Sequence, residues 1–146
     1  MLRPYSRYCL PSMVRLKSER EVEAMRRSAA LVGQVLTEVA RRVEPGALTS
    51  EMHRVAEEMI ADAGARPAFK GYRIARNDTL EEGDVVSVDC GVELDGYFGD
   101  YAYTFAVGEI SAEKAALLTD TKQSLYEGIR NGLHGRRIGD IAFAVQ

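Results

Sequence analysis

Apolar residues recur along the first third of the chain at steps of three and four. Val22, Met25, Ala29, Val32, Leu36, Val39 and Val43 trace one stripe, which predicts a long core-facing helix ended by Pro45-Gly46. Ser18 with Glu21 three residues on forms a capping box: the hydroxyl accepts from a first-turn amide and the carboxylate reaches back to the cap. Thr49 or Ser50 caps a second helix, with Leu48, Met52, Val55, Met59 and Ile60 inward and Gly64 as its stop. His53 lies one position off that stripe and reads as a surface histidine. Beyond Asp84 the period falls to two. Val86, Val88, Cys90, Val92 and Leu94 alternate with Ser87, Asp89, Gly91 and Glu93, the pattern of a half-buried strand. Asp95-Gly96 is a strong hairpin signal, with Tyr97 to Val107 returning and Tyr97, Tyr101, Tyr103 and Phe105 on one face. Ser111 then caps a third helix that uses Leu118, Leu125 and Ile129 and stops near Gly132. Asp140 caps a further amphipathic start, and the chain ends at Gln146 within two turns of it. So short a helix is unstable alone, so the expectation is a domain that continues.

A shift of 89 positions lays Leu36 on Leu125, Glu38 on Glu127, Arg41 on Arg130, Gly46 on Gly135 and Glu51-Met52 on Asp140-Ile141. Read as a duplication, a helix–helix–hairpin unit occurs once and begins again.

The two-residue loop sets the strand register by arithmetic. Facing positions sum to 191, so Gly91 faces Asp100 and Asp89 faces Ala102. Asp89 and Asp100 then become diagonal neighbours on one face, their Cβ atoms about 7–8 Å apart, with side-chain-free Gly91 leaving the space between them open. Two carboxylates so placed repel unless a positive charge lies between them. Divalent ions bridged by carboxylate oxygens would supply it. The alternative is a solvated polar ribbon face of Ser87, Asp89, Glu93 and Asp100.

Composition narrows the classes. With 146 residues, 46% hydrophobic and 28% charged, the chain suits one folded domain. A net charge of −3 gives no basic field for nucleic acid, and no apolar run is long enough to cross a bilayer. Two cysteines, Cys9 and Cys90, make no disulfide framework and favour a reducing compartment. Residues 1–13 are Arg-rich and acid-free but lack the apolar core of a secretory signal. They read as a disordered leader, with Met13 an alternative start, before a domain over 14–146, and the expected location is the cytoplasm.

The stretch VDCGVELDGYFGDYAYTFAVG resembles the metal-binding hairpin of type I methionine aminopeptidases. LKSEREVEAMRRSA, VEPGALTSE, PAFKGY, LEEGDVVSVDCG and SLYEGIRNG match successive segments of that family in order. The resemblance implies an α+β pita-bread fold, of which this chain holds the first half of a pseudo-twofold helix-plus-hairpin repeat. It implies a metalloprotease with two divalent ions (Co, Mn, Fe or Zn) that removes the initiator methionine from nascent peptide N-termini at the ribosome, without direct nucleic-acid binding. Asp89 and Asp100 match the first two carboxylate ligands, and Phe69 and Tyr72 match positions lining the methionine pocket. Two departures follow. Between Tyr72 and Leu80 the family carries a longer segment with a strand and a substrate-contacting histidine. Past Gln146 it supplies a ligand histidine and two ligand glutamates. No catalytic residue is therefore assigned within the chain, which by itself is expected to bind metal weakly and to release no methionine. The competing reading keeps the fold and drops catalysis, leaving a peptide- or protein-binding module.

Overall fold

The computed structural model describes residues 15–69 and 78–146. The leader over 1–13, Tyr72 and most of the shortened segment before Leu80 lie outside them. Helix α1 runs over Glu19–Ala40 and α2 over Thr49–Asp62. A two-residue strand β1, Arg66–Pro67, precedes the long hairpin strands β2, Val85–Leu94, and β3, Tyr97–Ala106. Helices α3, Ala112–Asn131, and α4, Ile138–Ala144, complete the order. The sheet is antiparallel throughout in the order β1-β2-β3, and α1 packs across both long strands.

Local chemistry explains the element boundaries. The Ser18–Glu21 capping box forms: Glu21 N–H donates to Ser18 Oγ at 3.3 Å, and Ser18 N–H donates to the Glu21 carboxylate at 2.8 Å. Those bonds to the charged form hold the Glu21 carboxyl below its ordinary value. The hairpin turns at Asp95 (φ 54°) and Gly96 (φ 81°), both left-handed, which is the paired conformation whose twist suits a two-residue loop. Ser111 caps α3 through Lys114 N–H at 3.3 Å.

Two caps differ from expectation. Leu48, whose side chain cannot accept a hydrogen bond, stands at the N-cap of α2, and Thr49 is the first helical residue, its hydroxyl accepting from Asp78 N–H at 3.1 Å. In α4 the N-cap is Arg137, and Asp140 is the third helical residue, its carboxylate accepting from Arg137 N–H at 2.8 Å. An acidic residue there still complements the helix dipole and the orphan first-turn amides.

The predicted stripe holds over the second half of α1, where Val32, Leu36 and Val39 are buried and Val43 packs against the core, but the buried face is rotated in the first half. Ala24, Ser28, Leu31, Val32, Val35, Leu36 and Val39 are buried, whereas Val22 (43% exposed), Met25 (39%) and Ala29 face outward. The cause is a close approach. A Cβ placed on Gly99 of β3 would lie 2.5 Å from the Ser28 carbonyl carbon, so the hairpin backbone rests directly on the small-residue face of α1. Ser28 is fully buried there and its hydroxyl donates to the Tyr97 carbonyl at 3.0 Å, which satisfies the one buried polar side chain at this contact. Val32, Val35, Val39, Val92 and Val107 fill the centre of the core.

The 89-residue repeat is visible in the backbone. α2 begins at Thr49 and α4 at Ile138, and 138 − 49 = 89. Gly46 and Gly135, also 89 apart, both take left-handed φ, 90° and 85°. The apolar positions predicted for α3 are mostly uncovered, however. Leu125 and Ile129 are 49% and 60% exposed, Leu118 is half-buried, and Gly128 is the one buried residue of α3. Tyr101 and Tyr103 are exposed, while Phe105 is half-buried against Tyr103.

Candidate metal centre

The strand register agrees with the arithmetic: Asp89 pairs with Ala102 and Gly91 with Asp100. Directly paired residues project from the same side of a pleated ribbon. Asp89, Gly91 and Asp100 therefore share the face opposite the one bearing Cys90 and Val92, which α1 covers. Both aspartates are exposed, and neither forms a hydrogen bond or ion pair with another described residue. Elsewhere on that face, Glu93 is engaged by Arg66 at 2.7 Å, and the Ser87 and Thr104 hydroxyls bond each other across the strands at 2.8 Å. The ribbon face thus keeps its two central carboxylates free of those internal partners.

The face over Gly91 itself is covered, from the β1 side. Ala68 N–H donates to the Gly91 carbonyl at 2.9 Å, and Pro67 pairs with Val92, so the segment after β1 is pinned along the edge of β2. This places the Phe69 ring on Gly91: a Cβ built on Gly91 would lie 2.7 Å from Phe69 Cε2. Phe69 is 45% exposed, with one edge on the strand and the rest bordering the adjoining space. Gly91 and Phe69 lie 22 positions apart (91 − 69), and nothing in the local sequence pattern joins them. Tyr72, the other predicted pocket residue, lies outside the described residues.

Phe69, Asp89 and Gly91 border a cleft of about 660 Å³ between α2 and β2. Its floor is apolar, from Val35, Val39, Met52, Ile60, Val88 and Cys90, and α2 contributes His53 and Glu57 to its rim. The surface role predicted for His53 is corrected here: its side chain is two-thirds covered and its Nε2 lies 3.4 Å from Glu57 Oε1. It sits beside the apolar stripe of α2, a position half-buried where that helix borders the cleft. Burial, together with nearby Asp89 and Asp100, pushes the Cys90 thiol up to about 11. Cys90 is thus a protonated core residue at neutral pH, unsuited to act as a thiolate ligand.

Paired carboxylates are hard oxygen donors suited to divalent ions such as Mn²⁺. Asp89 and Asp100 fit part of such a site. Among the described residues no group of three or more His, Cys, Asp or Glu side chains is placed to hold an ion.

This carboxylate-bearing hairpin, packed under a helix pair that begins to repeat, defines a class. The chain belongs to metallopeptidase family M24, whose profile matches residues 23–146, and it has the pita-bread fold. Members of that family use divalent metal ions. Within the family it is similar to methionine aminopeptidases. It is 37% identical over 152 residues to the methionine aminopeptidase of Clostridium acetobutylicum, covering 92% of this chain and 61% of that protein. It is 34% identical over 151 residues to methionine aminopeptidase 1 of Bacillus subtilis, again covering 92% and 61%. The crystal structure of methionine aminopeptidase from Rickettsia prowazekii superposes with a TM-score of 0.88 at 25% identity, over 92% of this chain and 61% of that one. Prolidase from Pyrococcus furiosus shares the fold at 17% identity, with a TM-score of 0.81 over 89% of this chain and 42% of its own. The chain thus spans about three-fifths of the length of the methionine aminopeptidases it matches. Among the described residues no helix is long and apolar enough to cross a membrane.

Proposed function

We propose that this chain carries the metal-binding hairpin and part of the substrate wall of a cytoplasmic metallo-aminopeptidase that removes the initiator methionine from nascent peptides. The observation that carries the reading is the shared face of Asp89 and Asp100, set by the Gly91–Asp100 pair in a chain of family M24. In this reading Asp89 and Asp100 hold a divalent pair, with Co, Mn, Fe and Zn as the candidate ions. The bound metals supply Lewis-acid polarisation and a nucleophile at neutral pH. The chain's own residues do the remaining work described here. Phe69 presents an aromatic edge beside the carboxylates, where a thioether gains burial and sulfur–ring contact. The apolar floor of the cleft keeps water from that side chain, and the carboxylates attract the cationic peptide N-terminus.

Two aspartates make a weak site, because a metal pair needs more donors to exclude water. Titration with Mn²⁺ should therefore show weak binding that Asp89→Asn or Asp100→Asn abolishes, and Met-Ala-Ser should release no methionine with Mn²⁺ or Co²⁺ present. Mn²⁺ binding unchanged by both substitutions would overturn the assignment. Metal-dependent methionine release would show that the two aspartates suffice with what else the chain provides. The alternative is a non-catalytic peptide-binding module, against which the two retained aspartates weigh. It is distinguished by peptide binding that neither Mn²⁺ nor the Asn variants alter.

A further inference from the structure

Gly91 lies at the centre of the candidate site, yet it carries no side chain and no ligand role. Its φ is not left-handed, so backbone conformation does not demand glycine there. What demands it is space. A Cβ at this position would fall 2.7 Å from Phe69 Cε2, 3.2 Å from Phe69 Cζ and 3.1 Å from the Ala68 Cβ. Real Cβ atoms do not approach carbon so closely, so any larger residue must displace the ring. The ring cannot retreat with its backbone, because Ala68 N–H is bonded to the Gly91 carbonyl and Pro67 is paired with Val92. It must rotate about its own side-chain torsions, away from the strand and into the adjoining cleft.

We infer that Gly91 is a specificity-determining residue: its missing side chain seats the Phe69 ring against the strand beside the carboxylate face, and that seating sets the room for the substrate's first side chain. The inference rests on the proposed peptide site, since it concerns which N-terminal residue that site accepts. The aspartates would hold the N-terminal end of the peptide, and the ring, lying on Gly91 of the same face, borders the space where the first side chain goes. A Cβ on Gly91 pushes the ring into that space and takes room from a long side chain more than from a methyl group.

The test compares binding of Met-Ala-Ser and Ala-Ala-Ser, with and without Mn²⁺, by ligand-observed NMR on the full chain. The wild type should prefer the Met peptide by at least about tenfold, the scale of discrimination expected from burying a few extra heavy atoms. Gly91→Ala should bring the ratio close to one, weakening Met-Ala-Ser far more than Ala-Ala-Ser. Adding Phe69→Leu to Gly91→Ala removes the colliding ring edge and should restore part of the preference. A purely structural role would lower both affinities together and would show no such rescue. Ring seating has its own readout. The Gly91 α-protons should be shifted by the Phe69 ring current, and Phe69→Leu should abolish the shift. An unchanged peptide ratio in Gly91→Ala, or unshifted Gly91 α-protons in the wild type, overturns the inference and leaves the peptide site standing. A wild type that binds neither peptide overturns the proposed function, and this inference with it.

Discussion

Helices α1 and α3 are built alike and are buried very differently. They have 22 and 20 residues, each opens on a serine cap with an acidic first turn, and each leads through a left-handed glycine into a partner helix. Yet α1 buries seven residues and α3 one. The difference lies in what is beneath them. α1 rests on the β2–β3 ribbon, whereas α3 packs mainly on α4 and touches the body through single polar contacts such as Lys114 Nζ to the Gly83 carbonyl at 2.6 Å. Capping and periodicity are enough to define a helix, but burial needs a second layer.

The comparison can be broken most severely at the ribbon contact. Gly99→Ala puts a Cβ within 2.5–2.7 Å of the Ser28 and Ala29 backbones, where neither a strand nor a helix backbone yields readily. It should cost at least about 3 kcal/mol in urea unfolding followed by circular dichroism. Wild-type stability in Gly99→Ala would show that α1 does not depend on this seat. Next comes a matched pair of truncations. Val35→Ala removes atoms from a fully buried site and should cost roughly 2–3 kcal/mol. Ile129→Ala, at a position 60% exposed, should cost less than about 0.5 kcal/mol. Equal costs would mean that α3 is covered in solution as well as α1 is.

A smaller effect separates the start of α1 from its middle. Ser18→Ala removes the cap and should lower the melting temperature by about 4 °C at pH 7. The gap should narrow in acid. The folded-state Glu21 carboxyl is lowered from its ordinary 4.5, first by the Ser18 backbone amide and then by the Ser18 hydroxyl. A lowered carboxyl stabilises the fold above its unfolded value, and the benefit disappears as pH falls through the folded value. A gap that stays constant down to pH 3 would place the effect outside the capping box. The smallest change expected is a gain. Gly139 in α4 has open space around its would-be Cβ, so Gly139→Ala should stabilise α4 by up to about 1 kcal/mol, seen as slower amide exchange there.

The sequence by itself determined what depends on near neighbours and on fixed periods. The Ser18–Glu21 box needs three residues, the Asp95-Gly96 turn needs two, and strand parity then carries Asp89 and Asp100 to one face without reference to anything else. The repeat at 89 residues was legible for the same reason, since both loops use a left-handed glycine at the same offset. The tertiary structure alone decided which side of the first half of α1 turns inward. Ala24 and Ser28 lose to Val22 and Met25 on hydrophobicity but win because small residues let the Gly99 backbone approach. It also decided that Phe69 fills the space over Gly91 and that His53 borders the cleft. Those outcomes join residues 71, 22 and 36 positions apart (99 − 28, 91 − 69, 89 − 53), and no local pattern encodes the distance of closest approach between segments so far separated.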